Sequence, residues 1–118
     1  MQRTQELDGI HNFTGTDGYH YVPMFKKIKY TDGVQYLAQS GSAYWLLDVC
    51  FSHAIPLIGK EDMMVCKLTV NDDNSALFVM TDGNENELAR QEIEFTDFPA
   101  KTAEIWIEGD VALLPSEH

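Results

Sequence analysis

The chain has 118 residues, of which 44 % are apolar and 23 % charged, and its 19 acidic residues outnumber the 8 lysines and arginines to give a net charge of −11. This length predicts one domain, residues 1–118, with a single hydrophobic core. The composition excludes wholesale disorder. The negative charge disfavours direct binding of DNA or RNA, because that binding depends on cationic groups. It favours a basic protein surface as partner, and the alternative is a solvated surface that only promotes solubility.

The sequence predicts a soluble, cytoplasmic protein. No apolar run approaches the ~20 residues that span a bilayer, and the polar residues 1–6 have no hydrophobic segment behind them that would make a secretory signal. Cys50 and Cys66 both lie inside apolar runs. We therefore expect two buried, reduced thiols in a reducing compartment, with one disulfide between them as the alternative. No cofactor is predicted.

The first half of the chain is predicted to be mainly helical over residues 13–60, after a loosely ordered start at residues 1–12. Residues 19–30 are ambiguous, because Pro23 suits the first turn of a helix whereas the aromatic residues before it suit a strand. This part of the chain is therefore left open.

Two helices follow this ambiguous segment. Val34, Leu37 and Ala38 lie on one face of a helix predicted over about 32–40, with Thr31 and Asp32 as rival caps at its start. A second helix is predicted over 43–54. It is so apolar that we expect it to cover the apolar face of a sheet.

The second half, residues 61–118, changes to a period of two, which predicts strands. It carries 14 acidic residues against three basic ones, so it holds the whole charge excess. The predicted fold class is α+β, with N-terminal helices packed on one face of a C-terminal antiparallel β-meander of four or five strands. The strands are expected near 63–70, 76–81, 89–95, 104–108 and 111–114.

One candidate binding site lies on the solvent-facing side of this sheet. Trp106 alternates in register with two glutamates on its own strand, and two more follow the same pattern on the strand at 89–95. If these two strands pair, an exposed tryptophan is surrounded by carboxylates and could anchor a basic partner. The alternative is that the indole only covers its neighbours or an N-terminal segment packed over the sheet. The predicted partner-binding residues are Trp106, Glu92, Glu94, Glu104 and Glu108.

Catalytic and metal chemistry have little support in the sequence. Cys50 and His53 have the i, i+3 spacing of a metal-ligand pair or of a thiolate and its base, but no second pair completes a metal site, and a cysteine in so apolar a helix is usually inert. We predict no catalytic residues and no metal ligands. A pocket between Tyr36, Tyr44, Asp48 and the sheet is retained as the alternative for a small enzyme or a ligand-binding protein.

Several sequence blocks resemble a known family. They are the Y-T-D-G-V block at 30–34, the A-Y-W-L-L-D block at 43–48, F-T-D-F-P at 95–99 and L-L-P-S-E at 113–117. They resemble a domain of unknown function, number 6876, from small proteins of bacteria, phages and plasmids. The resemblance implies a mobile-element context and supplies no activity.

These observations lead to three functional hypotheses. The first is a non-enzymatic protein-binding module whose acidic face imitates nucleic acid and inhibits a host nucleic-acid-binding defence protein, as anti-CRISPR proteins do. The second is the enzyme or ligand-binding protein with the pocket described above. The third is a structural protein that self-associates, for instance as a homodimer, through its apolar helix.

Overall fold

A computed structural model describes residues 3–118. Within these residues, seven strands form one sheet, and two α-helices lie between the second and third strands in the sequence. No helix in residues 3–118 has both the length and the apolar character needed to cross a membrane. The elements are β1 (Tyr19–Tyr21), β2 (Lys29–Thr31), α1 (Asp32–Ser40), α2 (Tyr44–Ala54), β3 (Met63–Val70), β4 (Ala76–Asp82), β5 (Glu87–Ile93), β6 (Thr102–Glu108) and β7 (Val111–Leu113).

The predicted fold class is wrong in its sheet. The strand order is β1-β2-β7-β6-β3-β4-β5, and the sheet is mixed because β2 runs parallel to β7 while the other neighbours are antiparallel. Two strands precede the helices, so the helices lie in the middle of the chain rather than before a four- or five-stranded meander. The meander is also interrupted, because β6 pairs with β3 and not with β5.

Both helices were predicted within one residue of their observed bounds. Thr31 is the N-cap of α1, and its hydroxyl accepts a 3.3 Å hydrogen bond from the backbone N–H of Val34. The carboxylate of Glu117 also accepts from the N–H of Gly33, at 3.3 Å. Free N–H groups at a helix start need such acceptors. The start of α1 is therefore tied to the last residues of the chain.

The core lies between the helices and one face of the sheet, which we call the core face. Cys50 and Phe51 of α2 are fully buried there, and the thiol of Cys50 lies 2.9 Å from that of Cys66 on β3. Phe51 also contacts the Tyr30 ring of β2, with centroids 6.3 Å apart. Both cysteines are free and buried, as predicted. The apolar helix α2 therefore serves as the cover that its sequence indicated.

Arg3 ties the start of the described chain to the loops at one end of the sheet. Its guanidinium donates three hydrogen bonds, to the carbonyl oxygens of Phe98 (2.7 Å) and Thr96 (2.8 Å) and to the side-chain oxygen of Asn74 (2.8 Å). Of the segment 1–12, for which we predicted loose order, Met1 and Gln2 lie outside the described residues.

Candidate functional site

The side of the sheet opposite the core face is the open face. On β6, every second residue is buried on the core face, namely Ala103, Ile105 and Ile107. The residues that alternate with them form the open face, and all of them are half-buried. Strand registers place the neighbouring side chains of β3, β4 and β5 on the same face. The central members of the open face are Met63, Val65, Lys67, Leu77, Val79, Glu104, Trp106 and Glu108.

Trp106 lies in the middle of this face, as its alternation in the sequence predicted. Its indole Nε1 donates a 2.7 Å hydrogen bond to Oε2 of Glu104. The ring of His118 meets the indole edge-on, with centroids 5.2 Å apart and an interplanar angle of 72°. In register, Val65 and Leu113 flank Trp106 on the two neighbouring strands. The indole is thus half-buried and held in one orientation from several sides.

The two glutamates nearest Trp106 along β6 both have partners. Glu104 accepts the indole hydrogen bond described above, and it also lies directly opposite Lys67 on β3. Glu108 lies 2.5 Å from Nε2 of His118. The immediate surroundings of the indole therefore carry mixed charge and not a purely acidic ring.

The other two predicted glutamates do not join this group. Strands β3 and β4 separate β5 from β6, which places Glu92 about 14 Å from β6 at the usual strand spacing. Glu94 lies beyond the end of β5. The prediction that the two acidic strands pair is therefore wrong. The cluster of four carboxylates depended on this pairing. The structure brings together Trp106, Glu104 and Glu108 and leaves Glu92 and Glu94 apart.

A cleft of about 400 Å³ opens beside Glu104 where β7 ends. Strand β7 pairs with β6 only from Trp106 onward, and residues 4 and 5 pair with the other end of β6 at residues 100–102. Residues on both sides of this gap, among them Gln5 and Leu114, line the cleft. Its lining includes Gln5, Leu7, Ile10, Leu37, Lys67, Glu104, Leu114 and Ser116.

The pocket predicted from Tyr36, Tyr44 and Asp48 is not this cleft, because none of the three residues lines it. The hydroxyl of Tyr36 donates to the carbonyl oxygen of Asp8, and its ring contacts that of Phe13 at 5.0 Å. Tyr44 and Asp48 are exposed on α2. Tyr36 thus holds the N-terminal segment against α1.

A polar group at the start of α1 was missed in the sequence. Nε2 of His20 lies 2.9 Å from Asp32 Oδ1, and its Nδ1 lies 3.3 Å from Nε2 of Gln35. The His20 contact and the N–H of Asp17 lower the pKa of the Asp32 carboxyl. Because both ring nitrogens of His20 are engaged, this group joins β1 to α1 and offers no free base. No sequence signal links residues 20 and 32, since only strand pairing brings them together.

Cys50 and His53 do not act as a pair. The Cys50 thiol contacts Cys66, whereas the His53 ring stacks on Phe78 and its Nε2 lies 2.9 Å from Oε1 of Gln91. Burial, and then the contact with Cys66, raises the pKa of the Cys50 thiol. Within residues 3–118, no three His, Cys, Asp or Glu side chains are grouped so that they could hold a metal ion.

Comparison with curated proteins found no match, and neither did comparison with solved structures. The family resemblance seen in the sequence is confirmed, while an origin in bacteria, phages or plasmids stays a prediction. The model of a family of unknown function (DUF6876) matches residues 4–118, nearly the whole chain. The chain therefore belongs to that family.

Proposed function

We propose that this chain is a non-enzymatic protein-binding module and that the open face around Trp106 is its contact surface. The observation that carries the proposal is the position of Trp106, a half-buried tryptophan at the centre of a sheet face that lies opposite the core. Tryptophan is enriched among the few residues that dominate binding energy in protein interfaces.

The surroundings of Trp106 support this role. The hydrogen bond to Glu104 and the contact with His118 fix the indole before any partner arrives, so binding costs little side-chain entropy. Val65 and Val79 extend an apolar surface across β3 and β4, and both are half-buried. The surface around Trp106 therefore has an apolar centre and a polar margin, as protein interfaces commonly do.

The partner that fits best places an apolar side chain against the indole and a lysine or arginine beside it. Glu104 and Glu108 each have one carboxylate oxygen engaged by the contacts described above, which leaves the other oxygen of each for a partner cation.

The narrower hypothesis of a nucleic-acid mimic that inhibits a defence protein needs a continuous acidic surface. Two glutamates beside Trp106 support only the broader proposal.

The test is affinity capture with matched variants. The parent protein, Trp106→Ala and Tyr44→Ala are immobilised in equal amounts, and proteins retained from a cell lysate are quantified at low salt and at ~0.5 M salt. Tyr44 is the control because it is an exposed aromatic residue, 43 % accessible, on α2. The proposal expects a protein that parent and Tyr44→Ala retain and Trp106→Ala loses. Equal retention by all three would contradict it.

A second candidate function is the binding of a small molecule in the cleft beside Glu104. Its volume of about 400 Å³ lies within the range of ligand pockets, and its lining combines Lys67 and Glu104 with the apolar Leu37 and Leu114. A fragment screen followed by NMR tests this candidate. A fragment that shifts the Lys67 and Leu114 resonances of the parent but not those of Leu114→Phe would favour this candidate. If none of the fragments shifts these resonances, the candidate is contradicted.

A further inference from the structure

The sheet ends in two open edges of opposite charge. Strands β1 and β5 are the outermost strands, and in residues 3–118 each is paired on one side only. An open edge presents unpaired backbone N–H and C=O groups, which readily pair with a strand from another chain. Both edges are therefore available to a strand of suitable charge.

The β1 edge is basic and aromatic. Residues 19–29 contain three lysines and no acidic residue. The ammonium group of Lys29 lies 5.1 Å from the centre of the Tyr19 ring, while Lys26 and Lys27 are exposed in the turn that follows β1. Such a basic stretch is exceptional in a chain of net charge −11.

The β5 edge is acidic. Residues 85–94 contain four glutamates and one arginine, so this edge carries a net charge of −3 against +3 for residues 19–29. Arg90 already pairs with Glu87, at 2.8 Å. Glu92 and Glu94 are exposed and make no ion pair in the described part of the chain.

Both edges also expose large apolar side chains. Tyr19 and Tyr21 are each 53 % accessible, and Met24, in the loop after β1, is 86 % accessible. At the opposite edge, Phe95 follows β5 and is 68 % accessible. Each edge thus offers apolar surface beside charge of one sign, which is the composition of a protein contact surface.

We propose that copies of this chain associate head to tail, with the basic β1 edge of one copy against the acidic β5 edge of the next. The contact joins two different surfaces, so it does not close into a twofold dimer but continues from copy to copy. The sheet twists by roughly 20° per strand, so successive copies are rotated and form an open chain. This inference is independent of the proposed function of the open face.

The association is expected to be weak and sensitive to salt. Strand β1 has only three residues, so the contact area falls in the class of small, transient interfaces. The attraction between exposed charges decays within about 10 Å at 0.1 M salt. We expect oligomers only at high protein concentration and low ionic strength.

Sedimentation velocity of purified protein at ~0.5 mM tests the proposal with three double variants. Lys26→Glu/Lys27→Glu makes both edges acidic, and Glu92→Lys/Glu94→Lys makes both edges basic. The control Lys60→Glu/Lys101→Glu gives the same charge change as the first variant at exposed positions away from both edges. Circular dichroism checks that all variants are folded.

The proposal expects the parent and the control to associate at low salt and to dissociate at ~0.5 M salt. Each edge variant alone should associate at least about tenfold more weakly. An equal mixture of the two edge variants should form complexes again, because the unaltered basic edge of one meets the unaltered acidic edge of the other. A monomeric parent, an equal loss in the control, or a mixture that stays monomeric would each overturn the proposal.

Discussion

The indole Nε1 of Trp106 lies 2.7 Å from Oε2 of Glu104, two residues earlier on the same face of β6. Residues i and i+2 of a strand project from the same face, so this contact joins neighbours on the open face without any bend in the strand. It fixes the indole and aligns one carboxylate beside it. The account of function given above depends on this pair.

The first prediction compares Trp106 with its buried neighbour Ile107. Trp106→Ala is expected to lower the free energy of unfolding by about 1–2 kcal/mol, because the indole is only half-buried. Ile107→Ala is expected to cost about 2–5 kcal/mol, because Ile107 is fully buried in the core. Urea denaturation followed by circular dichroism measures both values. A larger loss for Trp106→Ala than for Ile107→Ala would place the indole in the core.

The second prediction concerns Arg3. Its three hydrogen bonds to the loop at 96–98 and to Asn74 use a planar guanidinium that lysine cannot reproduce. Arg3→Lys is expected to lower the free energy of unfolding by about 1–3 kcal/mol, whereas the exposed control Lys101→Ala should change it by less than about 0.5 kcal/mol. Equal stability of Arg3→Lys and the parent in urea would show that these bonds contribute nothing.

The third prediction concerns thiol reactivity. Cys50 and Cys66 are buried, and burial raises the pKa of the Cys50 thiol, which lowers the fraction of reactive thiolate. Labelling by a disulfide reagent should therefore be far slower in the native protein than in ~8 M urea, where two thiols react per chain. Native thiols that react as fast as free cysteine would contradict the buried contact between α2 and β3.

The fourth prediction concerns acid stability and Asp32. Contacts with His20 and with the N–H of Asp17 lower the pKa of this carboxyl in the folded protein. Because this pKa is lower in the folded protein, the ionised carboxylate stabilises the fold at pH values above its unfolded-state pKa of about 4. This stabilisation is lost as the pH falls through the folded-state pKa. The free energy of unfolding should therefore fall less steeply below pH ~4 in Asp32→Asn than in the parent.

The control for this titration is Asp72→Asn. The Asp72 side chain is exposed and makes no hydrogen bond within residues 3–118. Its replacement removes one carboxyl without removing a contact, so a change in slope that both variants share is not due to the contacts of Asp32. If Asp32→Asn and the parent lose stability in parallel between pH ~4 and pH ~2, the contacts of Asp32 do not stabilise the fold.

Local patterns predicted the elements but not their arrangement. The 3.6-residue period located α1 and α2, with a capping residue at the start of α1, and the period of two located β3, β5 and β6, because these signals depend on neighbours in the chain. Turn residues marked the starts of β4 and β7. The strand order was missed because pairing joins distant residues, such as Tyr30 of β2 with Ala112 of β7. Strands β1 and β2 have only three residues each, which is too short for a period to be recognised.

The candidate site was predicted in part for the same reason. The alternation within β6 placed Trp106, Glu104 and Glu108 on one face, and this requires no knowledge of pairing. Glu92 and Glu94 were added to this site on the assumption that β5 and β6, which are consecutive in the sequence, are neighbours in the sheet. Strands β3 and β4 lie between them. The contact of His118 with the indole depends on the path of the last residues after β7, which no periodic pattern encodes.

The most direct test of the binding account is the dissociation constant of the captured partner for three proteins, namely the parent, Trp106→Ala and the control Tyr44→Ala, measured by calorimetry. The account predicts that Trp106→Ala binds at least about 30-fold more weakly than the parent, which corresponds to about 2 kcal/mol, while Tyr44→Ala binds within about threefold of the parent. A folded Trp106→Ala variant that binds as tightly as the parent would contradict the placement of the contact surface on the open face.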